Sequence, residues 1–457
     1  MTQTTSQAAA ALSSKWHPYP AYKDSGVEWL GEIPAHWEVN RLKFTSQVNP
    51  SKSDISHLPI DTEVSFLPME RIGEDGTTSL EETRLIEQVR QGYTYFQDGD
   101  VIIAKITPCF ENGKGALCNG LVNGIGFGTT ELYVLRVNKG NDPKFFFYLT
   151  KSEPFREIGA AMMYGAAGQQ RVPGDFVSNF RIGLTSLSEQ QAIAAFLDRE
   201  TARVNALIVK KERLIELLQE NRAALISHAV TKGLDPAAPM KDSGIAWLGE
   251  IPTHWEVKRL KFIAAEPLKY GANESGELDD PNLPRYIRIT DIDEDGSLRE
   301  DTYRSLPEEI AEPYLLKDGD LLFARSGATV GKSILYHKIW GRACYAGYLI
   351  RLRINRLVSD PKFISYFAVS PAYQNWLSSV FIQATIQNVS AEKYANLSVS
   401  IPPLSEQQAI VAYLDRETAK IDTLIARVRK GIAKVQEYSA ALIAAAVTGK
   451  IDVREVV

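Results

Sequence analysis

The chain has 457 residues, of which 44% are hydrophobic and 23% charged, with three cysteines and a formal net charge of −5. This composition suits about two to four globular domains, and no run of about 18 apolar residues predicts a membrane span. The odd number of cysteines, without a CxxC pair, indicates a reducing cytoplasm and argues against a disulfide framework or a zinc site. Because the net charge is negative, DNA binding would need a local basic groove.

The chain begins with a predicted N-terminal arm, residues 1–22, whose first part is rich in Ala, Ser, Thr and Gln. It has neither the basic start nor the Leu-rich stretch of a secretion signal. Residues 23–186 are predicted to form a mixed α/β domain, because β-like runs at 101–104 and 132–135 alternate with turn residues. A short helix is expected from Pro143, since proline is favoured at an early helical position.

Two Gly-flanked polar loops of this domain, residues 105–114 and 164–171, are candidates for DNA contact. Arg and short polar side chains read bases, whereas Lys, Arg and hydroxyl groups contact phosphates. An ordinary solvated loop is the alternative for any single residue. The candidate base readers are Gln169, Gln170 and Arg171, and the candidate phosphate contacts are Lys105 and Lys114. Thr107 is a further candidate for DNA contact.

A long helix is predicted over residues 187–232. Ser188 resembles a helix N-cap, and the Glu and Gln that follow it come close to a capping box. Apolar residues recur three, four or seven positions apart with charged residues between them, which is typical of a heptad seam. The seam residues are Ile193, Leu197, Val204, Ile208, Ile215 and Leu218.

The second half repeats this order. Residues 233–240 form a linker that contains Pro and Ala, residues 241–403 a second mixed α/β domain, and residues 404–457 a second long helix with a tail. The candidate base readers of the second domain are Gln387 and Asn388, and the candidate phosphate contacts are Arg325 and Lys332. Ser326 is a further candidate for DNA contact. The seam of the second helix has the same spacing and comprises Ile410, Leu414, Ile421, Ile425, Ile432 and Val435.

Each seam has three possible uses. It can cover its own domain, pair with the other seam of the same chain, or pair with a second chain. A helix of about 40 residues is about 60 Å long at about 1.5 Å per residue, and a seam of that length is long for a core helix. Pairing within the chain is the more economical interpretation.

The two halves are an imperfect tandem repeat. The 22-residue segments that start at Lys23 and Lys241 are identical at 18 positions, and those that start at Leu187 and Leu404 at 16. Between these segments weak similarities survive, such as a shared Asp-Gly-Asp triplet. Two domains that share a fold but differ in their surface residues are expected to recognise two different targets.

Motifs for chemistry are weak. Residues 327–333 resemble a phosphate-binding loop but have three residues between their glycines, where that motif has four. There is no Asn-Pro-Pro-Phe run of the kind that holds a flipped adenine, and no HExxH. His36 and His254, beside Trp at matched positions, are expected to pack or to lie at an interface. We therefore expect a non-catalytic chain with no catalytic residues and no metal site.

Each half starts with WLGEIPxHWEVxRLKF and closes with a helix that begins Leu-Ser-Glu-Gln-Gln. With their doubled order, from about Tyr19 to Val453, these motifs resemble the specificity (S) subunits of type I restriction–modification enzymes. The resemblance implies two target recognition domains, each reading one half of a split, asymmetric DNA sequence. It also implies that the two helices form an antiparallel coiled coil that fixes the spacer between the half-sites.

The resemblance further implies partners for the chain. Two methyltransferase (M) subunits would dock on the helices, and restriction/translocase (R) subunits would join them on double-stranded DNA. S-adenosylmethionine, ATP and Mg would be bound by those partner subunits, and no cofactor by this chain. The expected location is the cytoplasm, without membrane contact.

Three alternatives stay open. The chain could be the specificity subunit of a related two-part methyltransferase–nuclease system, from which partner identity would separate it. A fused DNA-modifying enzyme is disfavoured by the missing catalytic motifs. A purely structural coiled-coil scaffold is disfavoured because a scaffold has no need of two unlike domains.

Overall fold

The computed structural model describes residues 15–166, 168–293, 298–327, 329–381 and 388–455. It divides into two compact units. Unit 1 comprises the chain up to Lys211 together with Arg429 onward, and unit 2 comprises Glu212–Val428. Each of the two long helices therefore contributes residues to both units. Within the described residues, no helix is long and apolar enough to cross a membrane.

Unit 1 is a mixed α/β structure, as predicted. Its strands are β1 (Tyr22–Asp24), β2 (Glu32–Pro34), β3 (Glu38–Arg41), β4 (Ser46–Val48), β5 (Glu63–Leu67), β6 (Thr83–Leu85), β7 (Thr94–Gln97), β8 (Val101–Ala104), β9 (Gly115–Leu117), β10 (Ile125–Gly128), β11 (Leu132–Val137) and β12 (Arg181–Leu184). Its helices are α1 (Leu42–Thr45), α2 (Ile86–Val89), α3 (Pro143–Lys151), α4 (Glu153–Ala161) and α5 (Gly174–Asn179), followed by the long helix α6 (Leu187–Lys232).

Two four-stranded sheets form the body of unit 1, in the orders β6-β5-β10-β7 and β4-β11-β8-β9. The predicted strands β8 and β11 pair antiparallel at the centre of the second sheet. Residues 101–104 and 132–135 are continuous apolar runs because both faces of these strand segments are buried. Helix α3 packs on this sheet through Phe145 and Leu149, in a core that also contains Val101 and Leu135. Its N-cap is Asp142, whose side chain accepts from Phe145 N, with Pro143 at the first helical position as predicted.

The predicted N-terminal arm is packed on unit 1 from residue 16 onward. The Trp16 ring meets the Phe196 ring edge-on at 4.8 Å, and Tyr19 is only 3% exposed. The chain end lies in the same place, because Val453 is fully buried and Asp452 N donates to His17 O at 2.8 Å. Unit 1 is therefore completed by both ends of the described chain.

Unit 2 has matching elements. Its strands are β13 (Met240–Asp242), β14 (Glu250–Pro252), β15 (Glu256–Arg259), β16 (Lys269–Tyr270), β17 (Arg285–Ile287), β18 (Leu321–Ala324), β19 (Ser333–Leu335), β20 (Ala343–Tyr345), β21 (Leu349–Leu352) and β22 (Ser398–Ile401). Its helices are α7 (Leu260–Ile263), α8 (Glu308–Ala311), α9 (Pro361–Phe367), α10 (Pro371–Phe381) and α11 (Ala391–Ala395), followed by the long helix α12 (Leu404–Val447).

The sheet β16-β21-β18-β19 of unit 2 has the same order as β4-β11-β8-β9 of unit 1. The strand before each long helix also pairs with the strand of the head motif, β12 with β3 and β22 with β15. The sequence motifs at the start and the end of each half are thus hydrogen-bonded neighbours in one sheet.

The Asp-Gly-Asp triplets that the two halves share end in buried ion pairs. Asp100 accepts from Arg136 Nε at 2.9 Å and Asp320 from Arg353 Nε at 2.8 Å, and both carboxylates are 1% exposed. Hydrogen bonding to Asp320 raises the pKa of Arg353. Both halves contain the triplet because its last aspartate forms the same buried ion pair with an arginine in each unit.

The seams of α6 and α12 change their surroundings along the helix. Near each helix start they are fully buried in the core of their unit, at Ile193, Leu197, Ile410 and Leu414. Further along they are less enclosed: Ile421 and Ile425 are 8% exposed, and partly buried side chains are Val204, Ile208, Ile215, Leu218, Ile432 and Val435. The first turns of each seam therefore pack into the core of their own unit. In the middle of each helix the apolar seam residues are only partly buried, so they are available to pack against another helix.

Segments of both long helices meet inside each unit. In unit 1, Leu442 and Val447 of α12 share a core with Ile193 of α6. In unit 2, Arg222 Nε of α6 donates to Asp422 Oδ1 of α12 at 2.9 Å.

The predicted N-cap at Ser188 is wrong. Helix α6 begins at Leu187, and Glu189 N donates to Ser186 Oγ at 3.4 Å, so Ser186 occupies the cap position. The side chains that follow are used elsewhere, because the Gln190 amide is fully buried and accepts from Asp142 N at 2.9 Å. Gln407 does the same for Asp360 N at 2.8 Å in unit 2.

Candidate nucleic-acid interface

The two predicted DNA loops of unit 1 come together beyond the end of β8. Ile106 and Arg171 form an antiparallel bridge, and Val172 N donates to Lys105 O at 2.9 Å. Thr107 closes the contact, because its hydroxyl donates to Gln170 O at 3.1 Å and accepts from Gln170 N at 2.8 Å. Strand β8 ends in this loop, so a rigid sheet holds the paired segments.

The predicted loops of unit 2 meet in the same way beyond the end of β18. Ser326 and Asn388 form an antiparallel bridge, and Val389 N donates to Arg325 O at 2.8 Å. Asn388 therefore stands where unit 1 has Arg171, and Arg325 stands where unit 1 has Lys105. Gln387 lies outside the described residues.

Arg171 is held in a two-pronged ion pair at the surface of unit 1. Its Nε and Nη2 donate to the two carboxylate oxygens of Glu131 at 2.9 and 2.8 Å. This hydrogen bonding lowers the pKa of Glu131 and raises the pKa of Arg171. The Arg171 side chain is still 40% exposed, so it is oriented by Glu131 and open to a ligand.

Arg325 is positioned by different groups in unit 2. Its guanidinium lies 4.7 Å from the centre of the Tyr270 ring, and its Nε donates to Asn388 Oδ1 at 3.4 Å. Tyr348 occupies the position that Glu131 has in unit 1. The Tyr348 carbonyl accepts a hydrogen bond from Arg325 N, and the Glu131 carbonyl accepts one from Lys105 N. The ring of Tyr348 is 64% exposed.

The remaining predicted contacts have mixed surroundings. The Lys105 ammonium lies 5.4 Å from the centre of the Tyr133 ring, and Lys114 Nζ donates to Met69 O at 3.1 Å, toward its own unit. Lys114 and Lys332 occupy matching places, since their carbonyls accept from Ala104 N and Ala324 N. Gln169 and Lys332 are exposed.

Sequence reasoning missed Glu131 and Tyr270. Each lies far from its arginine along the chain, so the sequence carried no signal for it. Tyr164, which is exposed beside Arg171, is the first residue of a predicted loop. In each unit the arrangement offers Arg, Lys, amide and aromatic groups on one edge, which can contact bases and phosphates. Among the described residues, no group of His, Cys, Asp and Glu could hold a metal ion.

Comparisons with known proteins relate the chain to specificity subunits of type I restriction enzymes. The family model described as the type I restriction modification DNA specificity domain matches residues 252–432. The EcoEI specificity subunit of Escherichia coli is 25% identical over 90% of this chain and 82% of its own length. The EcoAI specificity subunit of Escherichia coli is 43% identical over 35% of this chain and 27% of its own length.

Two solved structures share the fold. The HsdS subunit from Thermoanaerobacter tengcongensis is 19% identical, with a TM-score of 0.51 over 92% of this chain and 98% of that chain. A chain from a structure on complex assembly and conformational transition of the type I R-M system is 18% identical. Its TM-score is 0.71 over 91% of this chain and 98% of that chain.

Proposed function

We propose that this chain is a type I restriction–modification specificity subunit and that it reads a bipartite, asymmetric DNA target for that system. Each unit reads one half-site through the loop pair at the end of its central sheet. One observation carries this proposal: the same position in the loop pair holds different side chains in the two units. It is Arg171 in unit 1 and Asn388 in unit 2. Arg pairs best with guanine and Asn with adenine, so unlike residues in one place read unlike sequences.

The backbone contacts come from the cations around those positions. Lys105 and Arg325 precede the bridged residues, and Lys114 and Lys332 lie at the start of the neighbouring strand. A Lys or Arg that neutralises a phosphate adds affinity without sequence preference. Thr107 has a positioning role, because its hydroxyl is engaged by Gln170.

The long helices act as a ruler in this proposal. They pack as an antiparallel coiled coil, for which the partly buried seam and the Arg222–Asp422 pair are the support. A rod of fixed length gives a spacer of fixed length between the half-sites.

The chemistry belongs to partner subunits in this proposal. Two methyltransferase subunits with S-adenosylmethionine modify adenine, and restriction subunits use ATP and Mg. The chain itself supplies binding and orientation and binds none of these cofactors.

The test is a map of methylated adenines in cells that contain the cognate methyltransferase subunit, with and without this chain. We expect a split, asymmetric motif that requires the chain. Exchange of residues 45–185 for the matching segment of another specificity subunit should change one half-site and leave the other. A motif that does not depend on the chain, or a change in both half-sites, would refute the proposal.

A further inference from the structure

Two phenylalanine side chains at matched positions are exposed to solvent. Phe44 of α1 is 64% exposed and Phe262 of α7 is 65% exposed, although each helix also buries a neighbour completely, Leu42 and Leu260 respectively. An apolar side chain that is left in water forgoes the free energy of burial. The same residue is exposed to the same extent in both units, which indicates a shared use.

The surroundings of the two rings are also the same. Lys43 Nζ lies 5.3 Å from the centre of the Phe44 ring and donates to Asn179 Oδ1 at 3.0 Å. Lys261 Nζ lies 5.3 Å from the centre of the Phe262 ring and donates to an asparagine Oδ1 at 2.9 Å. That asparagine is Asn396, and both asparagines donate their amide N–H to the carbonyl four residues earlier, at 3.0 Å.

An arginine and a valine complete each surface. Arg41 Nη1 lies 3.4 Å from Asn179 Oδ1 and Arg259 Nη1 lies 3.5 Å from Asn396 Oδ1. The two valines are each 36% exposed. We call the two sets the twin patches: Val39, Arg41, Lys43, Phe44 and Asn179 in unit 1, and Val257, Arg259, Lys261, Phe262 and Asn396 in unit 2.

The asparagines show that each patch is built by two distant parts of the chain. Asn179 and Asn396 lie in the divergent domains, where few residues are shared, yet both are retained and both orient the patch lysine. In unit 2 the Phe262 ring also lines an open depression with Val257 and Val358. An exposed phenyl ring with a lysine and an arginine beside it suits a partner surface that has an apolar pocket rimmed by carboxylates.

The patches lie away from the DNA loops of their own units. In unit 1, Glu131 precedes β11, whereas Asn138 follows it and donates its side-chain N–H to Phe44 O at 3.1 Å. Seven extended residues separate these ends by about 20 Å. A phenyl ring is also no ligand for phosphate, which takes Lys, Arg, hydroxyl and backbone N–H groups. These observations favour a protein partner over DNA.

We propose that the twin patches are docking sites for two copies of one protein surface, which has an apolar pocket rimmed by carboxylates and belongs to the methyltransferase subunit. The proposal rests on the proposed function, in which two such subunits join the chain. Residues that read DNA must differ between the units because the half-sites differ. Residues that bind identical partners must be the same, and the twin patches are.

The experiment uses the full chain assembled with its cognate methyltransferase subunit, in which native mass spectrometry counts the methyltransferase copies as the complex is diluted. We expect Phe44→Ala and Phe262→Ala each to weaken the binding of one of the two methyltransferase copies at least about tenfold. The double variant should weaken the binding of both copies. Leu357→Ala is the control, because Leu357 is 89% exposed and belongs to neither patch.

Charge is tested in the same assay. Lys43→Glu should weaken one copy as strongly as Phe44→Ala, whereas Lys139→Glu should leave both copies bound. Two bound copies in the double phenylalanine variant would overturn the proposal. So would a loss of DNA affinity with both copies retained, since the patches would then contact DNA. The methylation motif of the wild-type complex, measured in parallel, reports on the proposed function independently of the variants.

Discussion

His36 Nε2 lies 2.8 Å from Glu189 Oε2, and this contact joins the head motif of unit 1 to the first turn of its long helix. The other Glu189 oxygen accepts from Trp37 Nε1 at 3.1 Å and from Tyr19 Oη at 2.8 Å, and the Thr185 hydroxyl also donates to the carboxylate. The two sequence motifs that recur in each half are therefore parts of one hydrogen-bonded cluster.

Unit 2 has a reduced form of this cluster. His254 Nε2 lies 2.8 Å from Glu406 Oε2, and Trp255 Nε1 donates to Glu406 Oε1 at 3.1 Å. The Glu406 side chain is 29% exposed, whereas that of Glu189 is 6% exposed. We expect Glu189→Gln to lower the free energy of unfolding by about 2 kcal/mol and Glu406→Gln by about 1 kcal/mol, because a buried carboxylate with more donors loses more. Urea unfolding followed by tryptophan fluorescence measures both.

The pH dependence of this loss has a defined sign. Burial alone would raise the pKa of Glu189, but hydrogen bonds from Thr185, Tyr19, His36 and Trp37 outweigh it and lower the pKa below its ordinary 4.5. The ionised carboxylate therefore stabilises the fold above about pH 4.5, and this contribution is lost as the pH falls below that value. The difference between wild type and Glu189→Gln should shrink in that acidic range. A difference that is constant with pH, or equal losses in both units, would contradict this account.

A second prediction concerns the buried ion pair of unit 2. Asp320 is 1% exposed and binds Arg353 through both oxygens, at 2.8 and 2.6 Å. Asp320→Asn removes two charge-assisted hydrogen bonds at the buried end of the pair and leaves Glu266, at 2.7 Å, as the remaining carboxylate beside Arg353, so it should cost about 2 kcal/mol. Asp301→Asn is the matched control, because Asp301 is 68% exposed beside Arg299 and its substitution should leave the unfolding midpoint nearly unchanged. Similar unfolding midpoints for the two variants would show that the Asp320 pair is not essential.

How much of this could be predicted from the sequence depends on how local the signal is. The long helices were predictable because the spacing of their apolar residues is a local pattern. Strands β8 and β11 were predictable because a run of consecutive apolar residues is also a local pattern. The interpretation of His36 and His254 as packing or interface residues is consistent with their contacts. Their glutamate partners were not found, although the joint recurrence of the two motifs was a signal for them.

The candidate site was predictable in part. The loop pairs were found from polar residues beside glycines, and the structure brings each pair together. The Arg171–Glu131 and Arg325–Tyr270 contacts were not predictable, because 40 and 55 residues separate the partners and no motif connects them. Only the pairing of β8 with β11 places Glu131 beside the Arg171 loop.

The third prediction tests Arg171 as a base reader. Arg171→Ala should relax the recognition of one base pair in one half-site, because a two-pronged Arg–guanine contact gives about 1–3 kcal/mol of discrimination. Methylation rates on a library of randomised target sequences measure this. Arg203→Ala is the control, since Arg203 has a comparable partner in Glu200 at 2.6 Å but lies on α6. An unchanged motif, or relaxation in both half-sites, would exclude this role.

The fourth prediction follows from the meeting of the chain ends in unit 1. Asp452 N donates to His17 O, and Lys450 Nζ donates to Leu30 O at 2.9 Å. A circular permutant that joins Glu455 to Lys15 through a short Gly–Ser linker, and opens between residues 236 and 237, should therefore fold. That opening lies in an exposed turn, so few contacts are lost. We expect the permutant to direct methylation of the same motif. Opening between residues 196 and 197, inside the core of unit 1, should abolish folding, and equal behaviour of the two permutants would contradict the argument.

The fifth prediction tests the helices as a ruler. Lys211 of α6 lies beside Gly431 of α12, so seven residues inserted after Lys211 and seven before Gly431 lengthen both helices at facing positions. Because seven residues preserve the heptad seam, both units should stay folded. The added length is about 10 Å at 1.5 Å per residue, which corresponds to about three base pairs at 3.4 Å each. The methylation map should show unchanged half-sites with a spacer longer by about that amount. An insertion in α6 alone is the control and should abolish methylation, because the seams would no longer match. An unchanged spacer in the double insertion would show that something other than the helices sets the distance.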